Sequence, residues 1–106
     1  MLVLTRLQIP TGAQDVVRAG AGDLLHLLSG LTGFVRGHLG QAPDDPQLWV
    51  LATEWEGVGA YRRALSSYDV KVTAVPLLSQ ALDEPSAYET DRPGTPTNEQ
   101  RPRDLR

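Results

Sequence analysis

The chain contains no cysteine. Disulfide staples and thiolate metal sites are therefore excluded. Its 106 residues include two histidines, His26 and His38, too few for a histidine-rich metal centre. Basic charge is not in excess: ten Lys and Arg against thirteen Asp and Glu give a formal net charge of -3. A phosphate-binding surface needs the opposite balance, so nucleic acid is not an expected partner. No apolar run approaches the roughly 18 residues of a membrane-spanning helix. Met1-Leu2-Val3-Leu4-Thr5-Arg6-Leu7 lacks the basic leader and long apolar segment of a signal peptide. The expectation is a cytoplasmic protein with no membrane partner.

What is present suffices for one domain and not for two. Hydrophobic residues make up 41%, an ordinary share for a globular chain. A chain this short buries a modest part of its surface, so an oligomeric contact would help it.

Residues 2–9 are rich in Leu, Val and Ile and end at Pro10, which predicts a first strand. Thr11 followed by Gln14 fits a capping box. Val17, Ala21, Leu24, Leu28 and Leu31 then recur at three- and four-residue spacing, the stripe of an amphipathic helix that stops at Gly30. Residues 33–41 read as a second strand, 42–46 as a turn and 47–56 as a third strand, a hairpin. A second helix is expected over 58–66. A further helix is expected to begin near 67–70 and to kink or restart at Pro76. A short last strand is expected at 86–90. The order β-α-β-β-α-β is the ferredoxin-like α+β arrangement. The expected domain is 1–90. Residues 91–106 hold three prolines, four arginines and one leucine, a composition that builds no core. They read as a tail, disordered or laid along a partner subunit.

The third strand carries apolar residues on both faces. Side chains alternate across a strand, so Trp49, Leu51, Thr53 and Trp55 share one face and Leu48, Val50, Ala52 and Glu54 the other. An antiparallel sheet with one wet face would alternate apolar with polar. The two helices of the unit cover one face, and a second copy of the sheet is the economical cover for the other. A homodimer is the expectation.

Leu48-Trp49-Val50-Leu51-Ala52-Thr53-Glu54-Trp55-Glu56, followed by Ala60-Tyr61-Arg62, resembles the antibiotic biosynthesis monooxygenase domain. Gly33-Phe34-Val35 is similar to the opening of that family's second strand. The likeness runs roughly from Leu2 to Glu89. It implies a dimeric α+β barrel in which two ferredoxin-like sheets face each other. Members include cofactor-free oxygenases of polycyclic phenols and quinols, haem-degrading enzymes, and proteins without known catalysis. The resemblance implies a ligand pocket between the sheet and its own helices, lined by Trp55 and Tyr61. Many of the family's enzymes have asparagine at the position of Leu51. The haem-degrading branch has a ligating histidine at the position of Leu65, which cannot bind iron.

Cofactor-free oxygenation needs an ionisable, electron-rich substrate that itself reduces oxygen. The protein binds it, favours its anion and excludes water. Trp55 and Tyr61 would supply stacking surface and a hydroxyl; Phe34, Trp49 and Leu51 would complete the wall. His38, on the face taken as shared with Phe34 and Arg36, is the candidate base because its ordinary pKa lies near neutrality. Arg36 would steady a phenolate. His26 lies off the helical stripe and reads as solvated. Gly20-Ala21-Gly22 lacks the third glycine of a phosphate loop, and Asp44-Asp45 lacks the spacing of a metal site. The expected function is a monooxygenase-like protein, without metal or cofactor, that takes a flat aromatic or polyketide-type phenol or quinol. The alternative is a non-catalytic small-molecule-binding or accessory dimer on the same scaffold.

Overall fold

Apolar residues at alternate positions make the first element a strand with one buried face. In β1 (Leu2–Gln8) Val3 and Leu7 are buried, whereas Leu2, Leu4, Arg6 and Gln8 point the other way. The structure, a computed structural model, describes residues 1–91. The segment 91–106 read as a tail lies, beyond Asp91, outside the described residues.

Helix α1 (Gln14–Ser29) buries Val17, Ala21, Leu24 and Leu28, the stripe that the spacing predicts. The capping box does not form: the N-cap is Ala13, with no side-chain cap bond. Tertiary contacts take both side chains instead. Gln14 donates to the Pro46 carbonyl at 3.2 Å, and Thr11 accepts from Gln47 at 3.2 Å. They tie the helix start to the hairpin.

Strands β2 (Phe34–Ala42) and β3 (Asp45–Trp55) form that hairpin. Its turn is tighter than composition suggests, closing over Pro43 and Asp44 with Ala42 opposite Asp45. Helix α2 spans Val58–Ser66 as expected. Ser67 then breaks the chain into extended backbone and caps α3 (Tyr68–Leu78) by accepting from the Val70 N–H. Pro76 neither kinks nor restarts a second piece: α3 runs through it to Leu78. It sits near the helix end with its ring exposed, where the missing N–H matters least. The last strand, β4 (Ala87–Tyr88), is two residues long, shorter than expected, and pairs with Leu2 and Val3.

The sheet order is β2-β3-β1-β4, all antiparallel, the ferredoxin-like α+β fold. The helices pack on one face, against Val3, Leu7, Trp49, Leu51 and Trp55. On the other face Leu2 and Leu4 stay more than a third exposed, and Leu48, Val50 and Ala52 are half-buried. Among the described residues no helix is long and apolar enough to cross a membrane.

Candidate functional site

Trp55 ends β3 on the helix-facing side, buried at 2% exposure. Phe34 meets it edge-on, with ring centroids 5.2 Å apart. That contact depends on Gly33, whose φ of +89° turns the chain into β2, a backbone region that glycine enters without steric cost. Tyr61, one turn into α2, lies on the other side of Trp55 at 5.9 Å, tilted by 54°. Beside these rings a cavity of about 280 Å³ opens between sheet and helices. Its sheet wall includes Val3, Thr5, Leu51, Thr53 and Trp55, and its helix wall includes Leu24, Leu28, Tyr61 and Ala64.

The walls are apolar with few polar groups. The Trp55 indole N–H donates to the Thr53 hydroxyl at 3.0 Å. Burial pushes the Tyr61 phenol above its usual range, so at neutral pH it stays protonated and can donate. Beside β1, where residues 82–86 run along it, Arg6 and Glu84 border the cavity and form a two-pronged ion pair at 2.8 and 2.7 Å. The hydrogen bond to Glu84 holds the Arg6 guanidinium up, and the same bond holds the Glu84 carboxyl below the ordinary carboxylate range.

The residues singled out from sequence divide into three groups. Leu51, Trp55 and Tyr61 meet at the cavity, with Phe34 behind Trp55. Arg36 and His38 do not. A bulge between Phe34 and Arg36 shifts the register, so that Phe34 pairs with inward-facing Trp55 while Arg36 and His38 pair with outward-facing Glu54 and Ala52. The extra residue moves everything after it to the opposite face. Both are exposed there, and Arg36 pairs with Glu54 at 3.1 Å. The premise that His38 shares a face with Phe34 fails for this reason. Trp49 does face the helices, but six residues from Trp55 along an extended strand means about 20 Å. It lies under the Arg18 guanidinium, 4.9 Å from its ring centroid, and donates to the Pro46 carbonyl at 3.0 Å.

Three cavity groups were not singled out: Thr53, Arg6 and Glu84. Thr53 shares the inward parity of Trp55, which is a usable signal. Arg6 and Glu84 are 78 residues apart, and no local pattern links them. Leu65 borders the cavity and offers no ligand for iron. Among the described residues no group of three or more His, Asp or Glu could hold a metal ion.

The family model for antibiotic biosynthesis monooxygenase matches residues 1–74, well over half the chain. The chain belongs to the antibiotic biosynthesis monooxygenase family. The fold of this family member is similar to that of SnoaB, a cofactor-independent oxygenase from Streptomyces nogalater. The two are 23% identical with a TM-score of 0.69, over 84% of this chain and 93% of SnoaB. A mutant form of SnoaB superposes with a TM-score of 0.76 at 21% identity, covering 86% of this chain and 92% of the other. A conserved protein from Methanosarcina mazei Go1 is also similar, 20% identical with a TM-score of 0.68, over 81% and 84% of the two chains. At such identities the likeness extends to the fold. Among curated proteins none matches significantly. The Gly33-Phe34 and Glu54-Trp55-Glu56 segments of the family member thus have structural roles as well: they assemble the aromatic end of the cavity.

Proposed function

We propose that this chain is a cofactor-independent monooxygenase-like protein that takes a flat phenol or quinol into the cavity between its sheet and helices. The carrying observation is the cavity itself, apolar, with an aromatic end of Trp55 and Tyr61. A volume of about 280 Å³ lies just below the roughly 300–1,000 Å³ of ligand sites, which favours a compact fused-ring system. Trp55 would stack on the ring edge or face, and the protonated Tyr61 would donate to a phenolate oxygen. In the reaction of an anthrone-type substrate a ring CH2 becomes C=O. One oxygen atom enters the product, the other leaves as water, and the substrate supplies all four electrons. The chain's part is to hold the anion, keep it planar and exclude water. Among the described residues the ionisable groups bordering the cavity are Tyr61, Arg6 and Glu84, and the last two are engaged with each other. The substrate therefore arrives ionised, or water takes its proton.

The lack of an inward base among the described residues, together with apolar Leu51, supports a second reading: a non-catalytic binder or accessory dimer. Oxygen uptake with a panel of anthrones and hydroquinones separates the two. The first reading expects uptake that falls at least tenfold in Trp55→Phe and Tyr61→Phe. Uptake unchanged in both variants would reject this site, and tight binding without uptake would favour the binder.

In either reading we infer a homodimer paired through the outer sheet face. The apolar row of Leu4, Leu48, Val50 and Ala52 has no cover within the described residues, and such rows on monomers are uncommon.

A further inference from the structure

We propose that the Thr53 hydroxyl is the donor with which this cavity holds a ligand's acceptor oxygen, and that the Trp55 indole aims it. Thr53 is 7% exposed, a buried polar side chain on the cavity wall. A threonine hydroxyl has one proton and two lone pairs. One lone pair receives the Trp55 N–H at 3.0 Å, which biases the proton away from the indole. Among the described residues no protein atom accepts that proton. The strand's own carbonyls offer no relief: β3 is central, with ladders to β1 on one side and β2 on the other. A buried donor without an acceptor is costly, and buried polar groups are nearly always satisfied. The nearest cavity walls are apolar, so in the free protein water takes that proton, and a ligand that displaces the water must bring an acceptor in its place.

This assigns the ligand's chemistry more narrowly. Its favoured polar atom at the sheet is an acceptor, a ring carbonyl or a phenolate oxygen, because an ammonium would use only the remaining lone pair and leave the hydroxyl proton unpaired. Tyr61, protonated at neutral pH, is a second donor on the same cavity. The inference rests on the proposed cavity as the ligand site, but not on turnover. Thr53 is a binding residue here, and Trp55 is a positioning residue for it as well as a wall.

The test compares 1,8-dihydroxyanthraquinone, which carries acceptor oxygens, with anthracene, which has the ring outline and none. Both are titrated against the full chain by quenching of tryptophan fluorescence, in wild type, Thr53→Val, Thr53→Ser and Thr53→Ala. The readout is the ratio of the two affinities, which changes in packing or fraction folded move together. Thr53→Val and Thr53→Ala are expected to lower the ratio about three- to tenfold, the worth of one net hydrogen bond, and Thr53→Ser to keep it. Both hydroxyl-less variants leave the indole N–H unpaired; should one of them fail to fold, the ratio in the other against Thr53→Ser decides. A ratio unchanged in Thr53→Ala and Thr53→Val, or a quinone that does not bind wild type, overturns the proposal. Oxygen uptake is followed in parallel. A Thr53-dependent ratio without uptake sinks the monooxygenase reading and keeps this one; uptake with a Thr53-independent ratio does the reverse.

Discussion

A methyl group on Gly33 would overlap the Cβ of Ala60, across the contact between the start of β2 and α2. Gly33 also has a φ of +89°. Gly12 has a similar φ, +98°, with nothing near its would-be Cβ. The pair separates steric from conformational cost. Gly12→Ala should destabilise by about 1 kcal/mol, the strain of the left-handed backbone. Gly33→Ala should cost on the order of 2 kcal/mol more, because Ala60 must also move. Urea denaturation of the two variants measures both terms, and equal losses would mean that α2 yields freely.

The Arg6–Glu84 pair sets a pH dependence. Its folded-state Glu84 carboxyl titrates below the ordinary value, about 4.3 in unfolded chains. A depressed folded pKa contributes stability above the unfolded value and loses it as pH falls through the folded one. Glu84→Gln should therefore lower Tm at pH 7, and the difference from wild type should vanish on acidification below the ordinary carboxylate range. Thermal melts across that window check it. The effect is small, since the pair is exposed, and should shrink with added salt. A difference that persists at the acid end would point to packing of the side chain and not its charge.

Light scattering at micromolar concentration should give a dimer for wild type. The double variant Leu4→Glu, Val50→Glu places two carboxylates on the outer face while leaving the helix-packed core untouched. It should be monomeric with an unchanged far-ultraviolet spectrum. A wild-type monomer would remove the second sheet from the account.

On the proposed reading, Tyr61 acts on the ligand through its proton. Burial keeps the phenol protonated beyond its usual range, which centres near pH 10. Affinity for an anionic phenol, once that ligand is fully ionised, should stay flat through about pH 9 and fall only on further alkalinisation. Tyr61→Phe should bind more weakly and show no such fall. A wild-type decline already at neutral pH would assign the titration to another group.

The two-faced character of β3 was legible because its alternation is undisturbed from Leu48 to Trp55, so parity alone placed Leu51, Thr53 and Trp55 inward. Parity failed in β2, where Val35 is an ordinary strand former and nothing in composition marks the bulge. It also says nothing of distance along a strand, which is why Trp49 was grouped with a site about 20 Å away. The Thr11–Gln14 signature had the right local chemistry, yet the hairpin offered both side chains better-placed partners. Tertiary contacts of that kind leave no trace in a local window. The helical stripe of α1 and the bounds of α2 needed no such knowledge, because spacing alone determines which side packs.

The bulge at Val35 has a consequence for how the protein can change. Phe34 backs Trp55 on the helix-facing side and Arg36, two residues on, belongs to the opposite surface. One irregular residue thus uncouples two neighbouring positions that a regular strand would bind to a single purpose. If the cavity takes a ligand and the outer face a second copy, as proposed, substitutions at Arg36 and His38 act on the outer face alone and those at Phe34 on the cavity side alone. Two properties of one strand can drift separately.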